Sequence, residues 1–214
     1  MTSLHRRGLL GLITGNLIAG SLIAWPIPAR AMDLADVSTP IAALNAGLVQ
    51  IMKAGRKVPF SQRFDLFAPI VDRAFDLSGI LRVSVGQSWA KMTEQEHAEL
   101  LKVFRQYTVA SWVANFDEFN DDRFEILPEL RAVGTDQVVA TRLTAASGEV
   151  TKLDYVMRQT DTGWRAIDVL YNGTISNVVK QRSDFRGPLS EGGAAQLIAS
   201  LKKKIADLSG GAIS

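Results

Sequence analysis

The apolar residues of this chain change period in mid-sequence, and that change limits the fold more than any other feature. As far as Phe116 they recur every three or four residues, the spacing of one helix face. From Phe124 they fall into short runs, alternating or rich in β-branched and aromatic residues, as strands require. After Asn172-Gly173 the helical spacing returns. Helices, then an antiparallel meander, then helices describe an α+β chain whose helices pack against one face of a twisted sheet. A curved sheet covered in that way forms a cone, and a cone can hold a ligand between its layers.

Local signals place the elements. Met32 to Ser38 reads as a mobile leader. Pro40, behind the cap candidates Ser38 and Thr39, opens a helix carrying Ile41, Leu44, Leu48 and Ile51, and Gly55 stops it. A second helix starts at Ser61, with Pro69 expected to bend or break it. A short helix spans Leu77 to Val85, with Gly86 as its cap. Thr93-Glu94-Gln95-Glu96 is a capping box that opens a long helix ending near Phe116. Strands are expected over Phe124 to Leu127, Leu130 to Val133, Gln137 to Thr144, Val150 to Gln159 and Trp164 to Tyr171. In the last of these, Ile167, Val169 and Tyr171 share one face, opposite Trp164, Ala166, Asp168 and Leu170. Helices from about Ile175 to Phe185 and Gly193 to Leu208 close the chain, with Pro188 and Gly192-Gly193 between them.

The first 31 residues stand apart. Arg6 and Arg7 precede an apolar stretch from Leu9 to Trp25, and Ala29-Arg30-Ala31 is a small-x-small cleavage signal. This is the layout of a secretory signal peptide cleaved after Ala31. The stretch is short for a membrane span and is diluted by Gly11, Gly15, Asn16 and Gly20. The paired arginines fit a Sec signal and, weakly, a twin-arginine signal. The domain organisation is therefore a signal peptide over 1–31 and a single domain over 32–214.

Removing the leader changes the charge. The whole chain carries 24 Lys+Arg and 22 Asp+Glu. Losing Arg6, Arg7 and Arg30 leaves one more acid than bases, so no excess of positive charge argues for a nucleic-acid partner. Lys202-Lys203-Lys204 is the tight basic run, and at a helix end it reads as a solvated face. Lys53, Arg56 and Lys57 read the same way, with an acidic partner or lipid headgroups as the alternative. The chain has no cysteine and, beyond residue 31, one histidine, His97. Disulfides, thiolate chemistry, a histidine-based triad and a multi-histidine metal site are all excluded.

A set of short motifs runs in order along the remainder: Phe75-Asp76-Leu77, Val85-Gly86-Gln87-Ser88-Trp89, Phe104, Leu153-Asp154-Tyr155, Gly163-Trp164-Arg165-Ala166-Ile167-Asp168-Val169, Asn172-Gly173-Thr174-Ile175-Ser176 and Gln181-Arg182-Ser183-Asp184-Phe185. In this order the set resembles the MlaC/toluene-tolerance family of periplasmic lipid carriers, from about Pro40 to Ile205. The stretches Asp168 to Ser176 and Gln181 to Phe185 look closest to its hopanoid-associated HpnM branch. Where phospholipid carriers of the family often place an acidic residue before the glycine, this chain has Asn172. The resemblance implies N-terminal helices and a curved antiparallel sheet forming a nuclear-transport-factor-2-like cone with an apolar cavity, closed by C-terminal helices. It implies a periplasmic, monomeric carrier of a membrane lipid, hopanoid or phospholipid. That carrier would work between an inner-membrane ABC transporter complex and an outer-membrane lipoprotein or porin-like partner. It implies no cofactor, no metal and no catalysis.

Candidate cavity walls are the large aromatics Trp89, Trp112, Tyr155, Trp164 and Tyr171, with Phe104 from the family pattern. Val139, Leu143, Leu153, Met157, Ile167, Val169 and Val178 are candidates of the same kind. Taken singly, each could equally fill a closed core, because periodicity does not separate a lining from a filling. Asp168, an acid in an apolar strand, is expected to pair with Arg182. The alternative is a small cone-fold enzyme with Asp168 as base and a tyrosine as oxyanion donor. A ligand-free adaptor using only its surface is the third reading.

Overall fold

A computed structural model describes residues 33–213. The expected signal peptide over 1–31 lies outside these residues. Four helices come first: α1 (Leu34–Ala54), α2 (Phe60–Ala74), α3 (Leu77–Val85) and α4 (Glu94–Asn115). Five strands follow: β1 (Arg123–Val133), β2 (Asp136–Thr144), β3 (Val150–Thr160), β4 (Gly163–Tyr171) and β5 (Ile175–Ser176). Helix α5 (Asn177–Ser209) closes the chain. The strands form one antiparallel sheet in sequence order. The α+β architecture is that expected from the change of period.

Helix α1 lies on the sheet with Val37, Ile41, Leu44, Leu48 and Ile51 fully buried at helical spacing. It starts earlier than expected. Asp33 caps it by accepting a hydrogen bond from the Ala35 amide at 3.0 Å, so residues 34–38 are helix rather than leader. Pro40 then sits inside the helix and cannot donate to the Asp36 carbonyl. An interior proline costs about 3 kcal/mol, and burying Val37 and Ile41 returns about 1.5–3 kcal/mol each. Pro69 likewise does not break α2, which continues to Ala74 with Phe64, Phe67, Ala68 and Val71 buried around it.

Helix α3 and the start of α4 fall where the sequence puts them. In the capping box, the Thr93 hydroxyl accepts from the Glu96 amide (3.2 Å) and the Glu96 carboxylate from the Thr93 amide (2.8 Å). The latter bond holds the Glu96 carboxyl below its ordinary value. Helix α4 packs on α5, α2 and α3.

Two bulges shape the sheet. In β1, Ile126 faces Thr141 and Leu130 faces Val139, so β1 spends more residues than β2 between these pairs. Pro128, which has no amide to donate, lies in the excess on this edge strand. The two expected runs are thus one bulged strand. In β4, Ala166 faces Met157 and Asp168 faces Val156, leaving Ile167 as the extra residue. The strict alternation expected for β4 fails there: Ala166, fully buried, takes the covered position, and Ile167 leaves the row of Val169 and Tyr171. Phe75 bridges to Ala166, whose carbonyl accepts from the Asp76 amide at 3.0 Å.

The β4–β5 turn has Asn172 and Gly173 both at positive φ (51° and 74°), which is what an Asn-Gly pair supplies at low cost. Helix α5 therefore starts later than the expected Ile175, which instead pairs with Tyr171. The two expected closing helices are one element interrupted at Gly192-Gly193, where Gly193 has φ 62°.

Candidate functional site

Strand register sorts the covered face of the sheet into rows. One row is Gln137, Met157, Ala166; the next is Val139, Tyr155, Val169; the next Thr141, Leu153, Tyr171; and beyond it Leu143 faces Thr151. The first two rows are almost wholly buried. The last two run out toward the end of the sheet that carries the β2–β3 and β4–β5 turns. There a cavity of about 540 Å³ lies between the sheet, α3, α4 and the start of α5.

Its buried end is formed by Phe75, Leu77, Ile80, Phe104 and Leu153, and its rim carries the exposed residues Asn115, Tyr171, Asn177 and Lys180. One wall is a row of rings: Phe75 to Trp112 (6.0 Å between centroids) and Trp112 to Phe116 (5.4 Å, stacked). Helix α4 supplies the hollow itself. Thr108, Ser111 and Asn115 stand on the cavity side where a filled core would carry large apolar residues. The Thr108 hydroxyl donates to the Phe104 carbonyl (2.9 Å) and the Asn115 amide to the Ser111 carbonyl (2.7 Å). These donors are spent on their own helix, which leaves the wall largely apolar. The volume lies within the ordinary range for small-molecule sites.

Residues 43–203, about three quarters of the chain, match the family described as MlaC protein. This chain belongs to the MlaC family. The MlaC-family chain also shares its fold with a phospholipid-binding protein from Ralstonia solanacearum, solved in complex with a phospholipid. The TM-score is 0.71, with 20% identity over 82% of this chain and 99% of that one. No protein of curated function matches the sequence.

Of the side chains expected to line a cavity in this MlaC-family chain, Phe104, Trp112, Leu143, Leu153, Val169, Tyr171 and Val178 do so. Val139, Tyr155 and Met157 are on the covered face but inside the solid core. Trp164 packs against that core further along β4. Ile167 is displaced by the bulge. Trp89 sits outside the cavity, in the turn between α3 and α4, stacked on His97 (3.9 Å between centroids, 9° between planes). His97 Nε2 donates to the Trp89 carbonyl at 2.9 Å, which gives the lone histidine a structural place. Among the described residues, no group of three or more His, Asp or Glu side chains is arranged to hold a metal ion.

Asp168 lies on the cavity wall but does not pair with Arg182. Its carboxylate accepts from the Val169 amide (2.8 Å), the Val178 amide (3.1 Å) and the Ser176 hydroxyl. Ser176 in turn caps α5 by accepting from the Val179 amide at 3.0 Å. The acid thus sits at the N-terminus of α5, where free amides and the helix dipole favour a negative charge. That environment replaces the guanidinium partner expected from the sequence. Arg182 instead points toward Gly86 at the end of α3.

Phe75, Leu77, Ile80, Tyr107, Thr108, Ser111, Asn115, Phe116, Thr151, Asn177, Lys180 and Gln181 complete the lining and were not singled out from the sequence. The α4 members repeat at helical spacing from Phe104, so the short polar residues on an otherwise apolar face were the available signal.

Two of the three cations in each basic cluster have a local contact. Arg56 pairs with Asp117 at 2.7 Å and Lys53 lies 5.0 Å over the Phe119 ring. Lys202 pairs with Glu99 at 3.0 Å and Lys204 lies 5.8 Å over the Tyr107 ring.

Proposed function

We infer that this MlaC-family chain is a periplasmic lipid carrier and not an enzyme, exported by residues 1–31 and active as the domain 32–214. One observation carries the reading: an apolar cavity open at one end of the sheet, with ring and aliphatic walls inside and polar residues at its rim. A hydrocarbon tail in water costs roughly 0.8 kcal/mol per CH₂, on the order of 12 kcal/mol for a sixteen-carbon chain. Free passage between two membranes is then too rare to be useful. Moving the tail from a bilayer into a dry cavity exchanges one apolar surface for another, so loading and release are both reversible. Differential affinity of partner proteins for the loaded and empty forms sets the direction.

The cargo is a membrane lipid. The fold relative's bound phospholipid favours that class, and the motifs of the HpnM branch favour a hopanoid. The carrier runs between an inner-membrane ABC transporter complex and an outer-membrane lipoprotein or porin-like partner. Its lipid contacts are those of the candidate residues that face the cavity, from Phe104 and Trp112 on α4 to Val169, Tyr171 and Val178.

Organic extraction of the purified protein followed by mass spectrometry tests this. Stoichiometric lipid is expected, and the spectrum distinguishes hopanoid from phospholipid. Ser111→Trp fills the middle of the cavity. Overpacking of this size costs 1–3 kcal/mol, so lipid content should fall on the order of tenfold. Protein that carries no lipid and takes none up from vesicles would end the reading.

A further inference from the structure

Most of the exposed large apolar side chains gather at one end of the molecule. Val150, Tyr171, Ile175 and Val179 are four of the seven such residues among those described, at 46%, 49%, 57% and 66% exposure. All four lie at the end of the sheet where the cavity opens. Tyr171 lines the rim, Ile175 is its cross-strand partner, and Val179 follows the lining residue Val178. Scattered surface apolar residues need no explanation, but a cluster at one opening does.

Charge surrounds this tip in an ordered way. On α5, Val179, Arg182 and Arg186 share a face at i, i+3 and i+7, and no acid stands on that stripe. Arg182, whose guanidinium lies beside Gly86 at the end of α3, and Arg186 are exposed, and among the described residues neither is in an ion pair. Lys152 is exposed beside the tip, its carbonyl accepting from the Asn172 amide. Asp184, the acid of this helix segment, is paired with Lys180 at 2.9 Å. The other nearby acids are Glu149, the half-buried Asp154, and Asp168, whose carboxylate is bonded to Ser176 and the Val169 and Val178 amides.

We propose that this tip docks the cavity mouth onto the surface of a bilayer that carries anionic lipid, with Tyr171, Ile175 and Val179 entering the interface and Arg182 and Arg186 meeting headgroup phosphates. The proposal rests on the carrier reading and extends it: a mouth seated in the interface lets a tail enter without crossing water. Aliphatic residues at the tip, an aromatic at headgroup level and flanking arginines are the combination that holds a protein at an interface.

The chain has no cysteine, so Val179→Cys carries a single environment-sensitive fluorophore. Val133→Cys does the same at the opposite end of the sheet, where Val133 is also exposed. The full chain is used in both, so residues 1–31 contribute equally. With vesicles containing phosphatidylglycerol, the label at 179 should brighten and shift to the blue while that at 133 stays unchanged. Pure phosphatidylcholine should give a weaker response. Arg182→Glu and Arg186→Glu should each weaken binding about fivefold or more, and rising salt should do so as well. The idea is overturned if the 179 label reports water on anionic vesicles, if both labels respond alike, or if the arginine variants bind unchanged. Lipid content by mass spectrometry, read on the same preparations, keeps the carrier reading separate: a loaded protein whose tip ignores vesicles defeats only the docking.

Discussion

Two hollows of nearly equal size lie back to back in this protein and share Phe75 and Leu77 as a common wall. One is the cavity of about 540 Å³ described above; the other is a cleft of about 490 Å³ lined further by Leu101 and by Asp72, Asp76, Ser78, Arg105, Thr160, Thr162 and Arg165. In the cleft every cation is engaged. Arg105 makes a bidentate pair with Asp72 (2.7 and 2.6 Å), and that bond raises the guanidinium pKa further. Arg165 donates to the Asp72 carbonyl and to the Thr162 hydroxyl. The cavity, by contrast, has rings and aliphatic chains whose needs are met by a tail as well as by one another. Volume does not tell the two apart. Charge density does: four of the ten cleft residues are charged, against Asp168 and Lys180 among the twenty that line the cavity, and a hydrocarbon entering the cleft would strip water from those groups.

The sharpest way to break the contrast is to remove the wall. Phe75 is buried, 6.4 Å from the Tyr155 ring and 6.0 Å from Trp112. Phe75→Ala should cost about 3 kcal/mol in urea unfolding. It should also open the apolar cavity toward the polar cleft, so that mass spectrometry finds bulkier lipid or a second chain. An unchanged cargo with the full loss of stability would mean that the wall only supports the core.

A smaller effect tests the cleft alone. Asp72→Ala leaves Arg105 without its partner. Both side chains are 38% exposed, so solvent screens much of the pair, and a loss of about 1 kcal/mol is expected. Lipid content should not change. A fall in lipid with little loss of stability would show instead that the cleft takes part in binding.

These two regions also show what could be read from the sequence. The order of helices and strands follows from periodicity and capping, while the lining role of Phe104 and Trp112 rests on the family resemblance. The β4 bulge follows from neither, because the extra residue is visible only when β3 is laid against β4 and Met157 is found opposite Ala166. One residue of slip moved Ile167 off the expected face. Trp89 was misplaced because a tryptophan in a short connecting turn carries no facing information. Asp168 reads from the sequence as the partner of Arg182, but its partners are amides and a hydroxyl at the start of α5. An acid at a helix N-terminus and an acid beside an arginine look alike in a sequence. The cleft went unread because Asp72, Arg105 and Arg165 come from three distant segments and meet only in the fold.

The smallest expected effect concerns the solid part of the sheet beside the cavity. Tyr155 is fully buried, and its hydroxyl has no hydrogen-bond partner. Burial alone pushes its ionisation above the ordinary value of 10.0. A group whose folded pKa is raised contributes stability that is fully present below its unfolded pKa and is lost as pH rises toward the folded one. The wild-type protein should therefore lose stability as pH climbs past about 10, where the unfolded tyrosine ionises and the folded one resists. Tyr155→Phe removes both the orphaned hydroxyl and that alkaline loss. At neutral pH it should be neutral or stabilising by up to about 1 kcal/mol, and its urea midpoint should fall less than that of the wild type between pH 9 and 11. Lipid content should stay as it was, since Tyr155 itself sits in the filled core and not on the cavity wall. A clear loss of bound lipid in this variant would move the boundary between core and cavity one row deeper into the sheet, and the separation of filled and hollow halves would have to be redrawn.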